Sequence, residues 1–167
     1  HFTPVSPDPE QIVIRDIAHA LSLMTRANGH FPEFYSVGQH CIHCYEEAVA
    51  RKYSPFLCKA CLLHDASEAY LADITRPVKQ FLPGYLEIEK RLQDTIYEKF
   101  LGRVPTETEQ TAISSVDDTL LYYEFDHYMG EKLMEQAPLL VTDPAFETLP
   151  FAQVEQEFLD LFATLTV

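Results

Sequence analysis

A chain of 167 residues with 26 acidic and 12 basic side chains carries a formal net charge of -14. That length suits one domain, large enough to bury a substantial core without a disulfide or metal staple. The charge argues against a grip on the phosphate backbone of a nucleic-acid polymer, and an anionic substrate would need local positive charge from a metal or a few placed Lys and Arg.

No apolar run approaches the ~20 residues that span a bilayer, and the opening HFTPVSPDPE lacks the basic and apolar regions of a secretory leader. The expectation is a cytoplasmic protein with no membrane partner. Helical periodicity dominates, without alternating strand patterns, hairpin turns or repeats.

Residues 1–13 are expected to be extended. A first helix starts near Ile14 to Asp16, carries Ile17, Ala20, Leu21 and Met24 as an apolar stripe, and stops before Asn28-Gly29, with Arg26 and His30 around the stop. Ser36 opens a second helix to about Lys52, which puts His40 near its positive end and Cys44 and Ala48 on the same face. Ser54-Pro55 opens a third, expected to run unbroken to Tyr70–Asp73 and to carry Cys58, Cys61, His64, Asp65 and Glu68. Thr75-Arg76-Pro77 then breaks the pattern. The fourth helix spans about Gly84 to Phe100, closed by Gly102 and Pro105. The fifth, about Thr106 to Met129, buries Ile113, Val116, Leu120, Leu121 and Tyr128, and the last, Ala152 to Leu165 within a packing region at 145–167, presents Val154, Phe158, Leu161 and Phe162.

The stretch ACLLHDASEAYLADITRPVK, from Ala60 to Lys79, gathers the most chemistry. Neutral imidazole and carboxylate suit a hard or borderline divalent metal, and on a helix Glu68 shares the face of His64 and Asp65. Taken alone, a His-Asp dipeptide more often caps a helix, with its acidic neighbours solvated. Asp117 lies inside the apolar register of the fifth helix, where a carboxylate is costly unless it pairs with an Arg such as Arg15 or Arg91, or binds a cation.

Cys41-x-x-Cys44 and Cys58-x-x-Cys61 form two CxxC pairs, a pattern that can hold structural zinc. Neither pair is followed by a Gly-rich turn and both lie in predicted helix, so buried core cysteines are the favoured reading. A mixed site of His40, Cys44, Cys61 and His64 is a further alternative if the two helix faces meet. His43 shares part of the face of His40, which allows a supporting role, although an ordinary core or surface histidine is the favoured reading. His30 sits in a loop beside Arg26, within reach of a substrate, and His19 and His127 have no motif around them.

The order His40, His64-Asp65, Asp117 on three helical elements resembles the HD-domain metal-dependent phosphohydrolase superfamily. HDASEAYLADITRPVK is similar to the HDASE…D…P-x-P-V-K run of the bacterial HD-domain 5′-deoxyribonucleotidases, departing from their Pro-Thr-Pro at Thr75-Arg76-Pro77. DIAHALSLMTRANGH followed by FYSVGQH is similar to small HD hydrolases in which an Arg precedes the first metal His. The resemblance covers about Asp16 to Met129.

It implies an all-α HD-domain bundle of about six main helices, a single domain with its core at 14–129. It also implies one divalent ion (Mn, Co, Mg, Fe, Ni or Zn) held by His40, His64, Asp65 and Asp117, with Glu68 in catalysis, Asp73 reading the sugar, and Lys79 and Arg26 contacting phosphate. Such an ion would lower the pKa of a water and polarise a phosphoryl oxygen. The implied activity is release of phosphate from nucleoside (deoxy) 5′-monophosphates by a homodimer. A cyclic nucleotide, a nucleoside triphosphate or a phosphorylated metabolite is the alternative substrate, and a zinc-stabilised scaffold built on the cysteines is the non-catalytic alternative.

Overall fold

Residues with helix-capping side chains stand where helices begin. Ser36 accepts a hydrogen bond from Gln39 N, Ser54 from Leu57 N, and Thr106 exchanges reciprocal bonds with Glu109 in a capping box. The computed structural model describes residues 2–164, and among them the protein is all-helical. The helices are α1 (Ile14–Leu23), α2 (Val37–Ala50), α3 (Pro55–Leu62), α4 (Glu68–Leu71), α5 (Arg76–Lys79), α6 (Pro83–Leu101), α7 (Glu107–Met129) and α8 (Phe151–Thr164). Six of them have eight or more residues, and α4 and α5 are single turns. The expected end of α8 at Leu165 lies outside the described residues.

The central element is α2, buried on nearly every side and packed against α1, α3, α7 and α8. Gly38 permits this: a Cβ there would meet Ser22 N at 3.1 Å and Leu21 C at 3.2 Å, so α1 and α2 touch backbone to backbone. Around them Ile17, Leu21, Leu62, Leu92, Ile96, Leu120 and Phe158 close the core. Each such side chain contributes roughly 1.5–3 kcal/mol on burial. Among the described residues no helix is long and apolar enough to cross a membrane.

The expected third helix is not continuous. It stops at Leu62, passes through turns over 63–67 and resumes as α4. The break is held from a distance by Gln93 on α6, whose amide accepts from Ser67 N at 3.0 Å and donates to the Leu63 carbonyl at 2.8 Å. These side-chain bonds satisfy backbone groups that a helix would otherwise pair internally. His64 and Asp65 therefore project from a turn, not from a helix face.

Three smaller departures also matter for the site. The first helix ends at Leu23, and Arg26–Gly29 forms a separate 3-10 turn in which Ala27 and Asn28 are left-handed. Thr75 to Lys79 folds into α5, with Pro77 tolerated in its first turn. Residues 1–13, expected to be extended, contain a 3-10 turn at Pro9–Gln11. The segment 130–150 has no helix or strand, and it is tied down by wholly buried Glu47, which accepts bonds from Val141 N, Thr142 N, the Thr142 hydroxyl and Arg51.

Candidate functional site

Three elements bring four separated side chains to one point: His40 from α2, His64 and Asp65 from the turn after α3, and Asp117 from α7. His40 Nε2 lies 3.3 Å from His64 Nε2, 3.1 Å from Asp117 Oδ1 and 3.9 Å from Asp65 Oδ2. His64 Nε2 lies 3.3 Å from Asp65 Oδ2 and 3.7 Å from Asp117 Oδ1. Two imidazole nitrogens and two carboxylate oxygens therefore converge.

Both rings are turned so that Nε2 faces that point. His64 Nδ1 donates to the Cys61 carbonyl at 2.7 Å, and a carbonyl can only accept, so the proton is on Nδ1. His40 Nδ1 donates to Glu124 Oε1 at 2.5 Å. Glu124 is wholly buried and also accepts from Tyr35 Oη at 3.0 Å and from Arg26 Nε and Nη2 at 3.3 and 3.1 Å. Although burial disfavours its charge, Arg26 and His40 hold its carboxyl down at about 2. Carboxylate-backed histidine is the arrangement that orients a metal ligand.

The two rings and the acids around them are coupled electrostatically. Burial disfavours charge on both rings, and Arg26 opposes it on His40, yet Cys44, Glu124 and Asp117 around His40, and Asp65, Cys44 and Asp117 around His64, raise both well above the ordinary imidazole value. Asp117 is held well below the carboxylate range against the cost of its burial, through its bonds to the two histidines. A divalent ion placed among these groups would supply the positive charge that protons otherwise supply.

Above the centre opens a cavity of about 420 Å³, lined in part by Asp65, Glu68, Asp73, Lys79, Arg26 and Asp117. Its apolar wall is Phe31, Ile74, Leu121, Phe125 and Leu133. Leu121, expected in the core, stands in this wall instead, because α7 turns that face to the cavity. Arg26 Nη1 is 3.6 Å from Asp65 Oδ2. Lys79 pairs with Glu89 at 2.6 Å. His30 is exposed and not among the lining residues.

Glu68 is buried and its Oε2 has no hydrogen-bond partner. Burial, then repulsion from Asp65 and Asp73, pushes its carboxyl well above the usual range, against the pull of Arg26 and Lys79. Asp73 is pushed up in the same way, by burial first. Asp73 follows Ala72, a non-glycine residue at φ 99°, ψ 157°, whose carbonyl accepts from Tyr85 Oη at 2.8 Å. That backbone region is almost exclusive to glycine, so strain is stored beside the cavity.

Several participants carried no sequence signal of their own. Arg76 forks across Asp117 Oδ2 at 2.6 Å and Asp118 Oδ1 at 2.7 Å, so the partner of Asp117 is neither Arg15 nor Arg91. Tyr35 links Glu124 to His43, whose Nδ1 lies 2.8 Å from the phenol and whose imidazole burial pushes down to about 4. The signal that could have found Glu124 is its spacing, two helical turns beyond Asp117 on the same face of α7.

All four cysteines are free and buried. Among the described residues they do not assemble into one four-sulfur site. The cysteines that come within 4.8 Å of other ligand atoms do so in two groups, Cys44 with His40 and His64, and Cys41 with His64 and Asp65, so Cys61 stands outside the mixed site considered above. These buried His, Cys and Asp groups could hold a metal ion.

No protein-family model matches the chain. It is 39% identical over 100 residues to the uncharacterized protein YfdR of Escherichia coli strain K12, an alignment covering 60% of this chain and 53% of that protein, so the match spans about half the relative's length. It is 32% identical over 169 aligned positions to the uncharacterized protein RCAP_rcc00048 of Rhodobacter capsulatus, covering 92% of this chain and 85% of that one. The chain thus belongs to the family of RCAP_rcc00048.

Proposed function

We propose that this protein is a divalent-metal-dependent phosphohydrolase of the HD-domain type, releasing phosphate from nucleoside 5′-monophosphates. The observation that carries the reading is the meeting of His40, His64, Asp65 and Asp117 beside a cavity that Asp65 and Asp117 line together with Arg26 and Lys79. The donor set suits a divalent ion, because both histidines present an oriented Nε2 and both acids an oxygen toward one point. Held by these four residues, a divalent ion would supply Lewis-acid stabilisation of phosphoryl charge and a lowered pKa for a water.

The chain's own residues divide the remaining work. Arg26 and Lys79 neutralise phosphate oxygens that the ion leaves uncovered, which is how a chain of net charge -14 admits an anion. Glu68, whose carboxyl is pushed up by burial and by Asp65 and Asp73, is placed to donate a proton to the leaving 5′-oxygen. Asp73 accepts from a sugar hydroxyl. Phe31, Phe125 and Leu121 offer the base an apolar wall. At about 420 Å³ the cavity is within the range of about 300–1,000 Å³ typical of small-molecule sites.

The test is a phosphate-release screen over nucleoside mono-, di-, tri- and cyclic phosphates with several divalent metals. The expected outcome is metal-dependent release from 5′-monophosphates, lost in Asp65→Ala. Release from another phosphate class alone would replace the substrate, and no release from any of them would overturn the reading.

A further inference from the structure

Cys44 is one helical turn beyond His40 on α2 and is buried. Its Sγ lies 3.5 Å from His40 Nε2, the same nitrogen that faces His64 Nε2 at 3.3 Å, and the three ligand atoms lie mutually within 4.8 Å. Metal–sulfur bonds near 2.3 Å and metal–nitrogen bonds near 2.05 Å that meet at about 110° separate sulfur from nitrogen by about 3.5 Å and nitrogen from nitrogen by about 3.3 Å. The separations of His40 Nε2 from Cys44 Sγ and from His64 Nε2 are those of ligands around one ion. Cys41 is placed differently, since its group shares only His64 with this pair.

Resting on the metal-centre reading above, we propose that Cys44 is an additional ligand at that centre. Its thiolate would add a buried sulfur donor to the two imidazoles and two carboxylates. The ligand set implied by the HD resemblance contains no sulfur, so this is a property of the present chain. On binding, the Cys44 S–H bond breaks, its electron pair forms the metal–sulfur bond and the proton leaves to solvent, with no change of oxidation state. A thiolate beside two imidazoles selects borderline and soft ions, Zn²⁺, Co²⁺ and Cd²⁺, over Mn²⁺ and Mg²⁺.

Cobalt titration of the reduced, chelator-treated full-length protein tests this without an activity assay. The expected result is a near-ultraviolet sulfur-to-cobalt charge-transfer band that saturates at one equivalent, disappears in Cys44→Ser and Cys44→Ala and persists in Cys41→Ser. Cd²⁺ affinity should fall about tenfold or more in Cys44→Ser while Mn²⁺ affinity changes by less than about threefold. Because a buried cysteine variant can lose its fold, X-ray absorption at the cobalt edge of the wild type and of Cys41→Ser gives a second readout, a sulfur neighbour near ~2.3 Å. Stoichiometric cobalt without that sulfur, or a band that survives in both Cys44 variants, overturns the Cys44 assignment and leaves the His and Asp centre standing. Wild-type protein that binds no cobalt overturns the centre and this inference together.

Discussion

Glu124 and His40 meet at 2.5 Å, both wholly buried, and join the bundle's ionic network to its candidate metal centre. The carboxylate fixes the ring of His40 and holds Arg26 at the cavity wall at the same time. One side chain on α7 thereby orients residues from two other parts of the chain.

Glu124→Ala is expected to lower metal affinity by about 10–100-fold, as loss of a carboxylate behind a ligating histidine does. It should also destabilise the fold by roughly 3–5 kcal/mol, because Arg26 is left buried without its main partner. Metal-binding calorimetry and denaturant unfolding read the two effects separately. Glu124→Gln should recover part of the stability and less of the affinity, since the amide still accepts from His40 but carries no charge.

Glu68→Gln separates proton transfer from metal binding. The expected outcome is an unchanged metal content with hydrolysis slowed by about 10²–10⁴-fold. A variant that kept both metal and rate would remove Glu68 from the chemistry.

The same substitution has a pH signature in the metal-free protein. The folded pKa of Glu68 is raised by burial and by Asp65 and Asp73 against the pull of Arg26 and Lys79. Its neutral form favours folding, so its contribution is fully present below the unfolded value of about 4.3 and is lost as pH rises through the folded value. The stability of Glu68→Gln relative to wild type should therefore increase from about pH 4 upward and then level off, with a gain in Tm of about 2–4 °C per kcal/mol for a chain of this size. Thermal melts across pH 4–9 in the presence of a chelator measure it.

Gln93→Leu should unfasten the break between α3 and α4. Two backbone groups, Ser67 N and the Leu63 carbonyl, lose their partners, at a cost of about 1–3 kcal/mol for each one left buried and unpaired. Since His64 and Asp65 stand on that turn, metal affinity should fall with stability although Gln93 touches neither ligand's side chain.

Ala72→Gly relieves a backbone conformation that costs on the order of 1–3 kcal/mol for a residue with a Cβ. Denaturant midpoints should rise. If the strain serves to aim Asp73, KM for a nucleotide should rise as well, with little change in metal affinity.

Helix starts were legible because their signals are local: Ser36, Ser54 and Thr106 each cap a helix through an oxygen three residues from the amide it binds. The all-helical class followed from periodicity in the same way. The break after Leu62 was not legible, because its cause is Gln93 on another helix, and the apolar run Leu62-Leu63 continues the helical pattern straight through it. Of the site, the order of His40, His64, Asp65 and Asp117 could be read only through resemblance to a family. Glu124 and Arg76 acquire their meaning from partners brought close by folding, Arg76 with Asp117 41 positions away and Glu124 with His40 84 positions away.

The meeting of His40 with His64 and with Asp117 joins points 24 and 77 positions apart along the chain. An ion held there would act as a cross-link, closing two long loops that the unfolded chain leaves open and removing conformational freedom from it much as a disulfide does. The metal-loaded chain should then unfold more slowly than the metal-free one. Amide exchange in α2, the turn at 63–67 and the middle of α7 should slow together, because one bound ion would make the three segments a single opening unit.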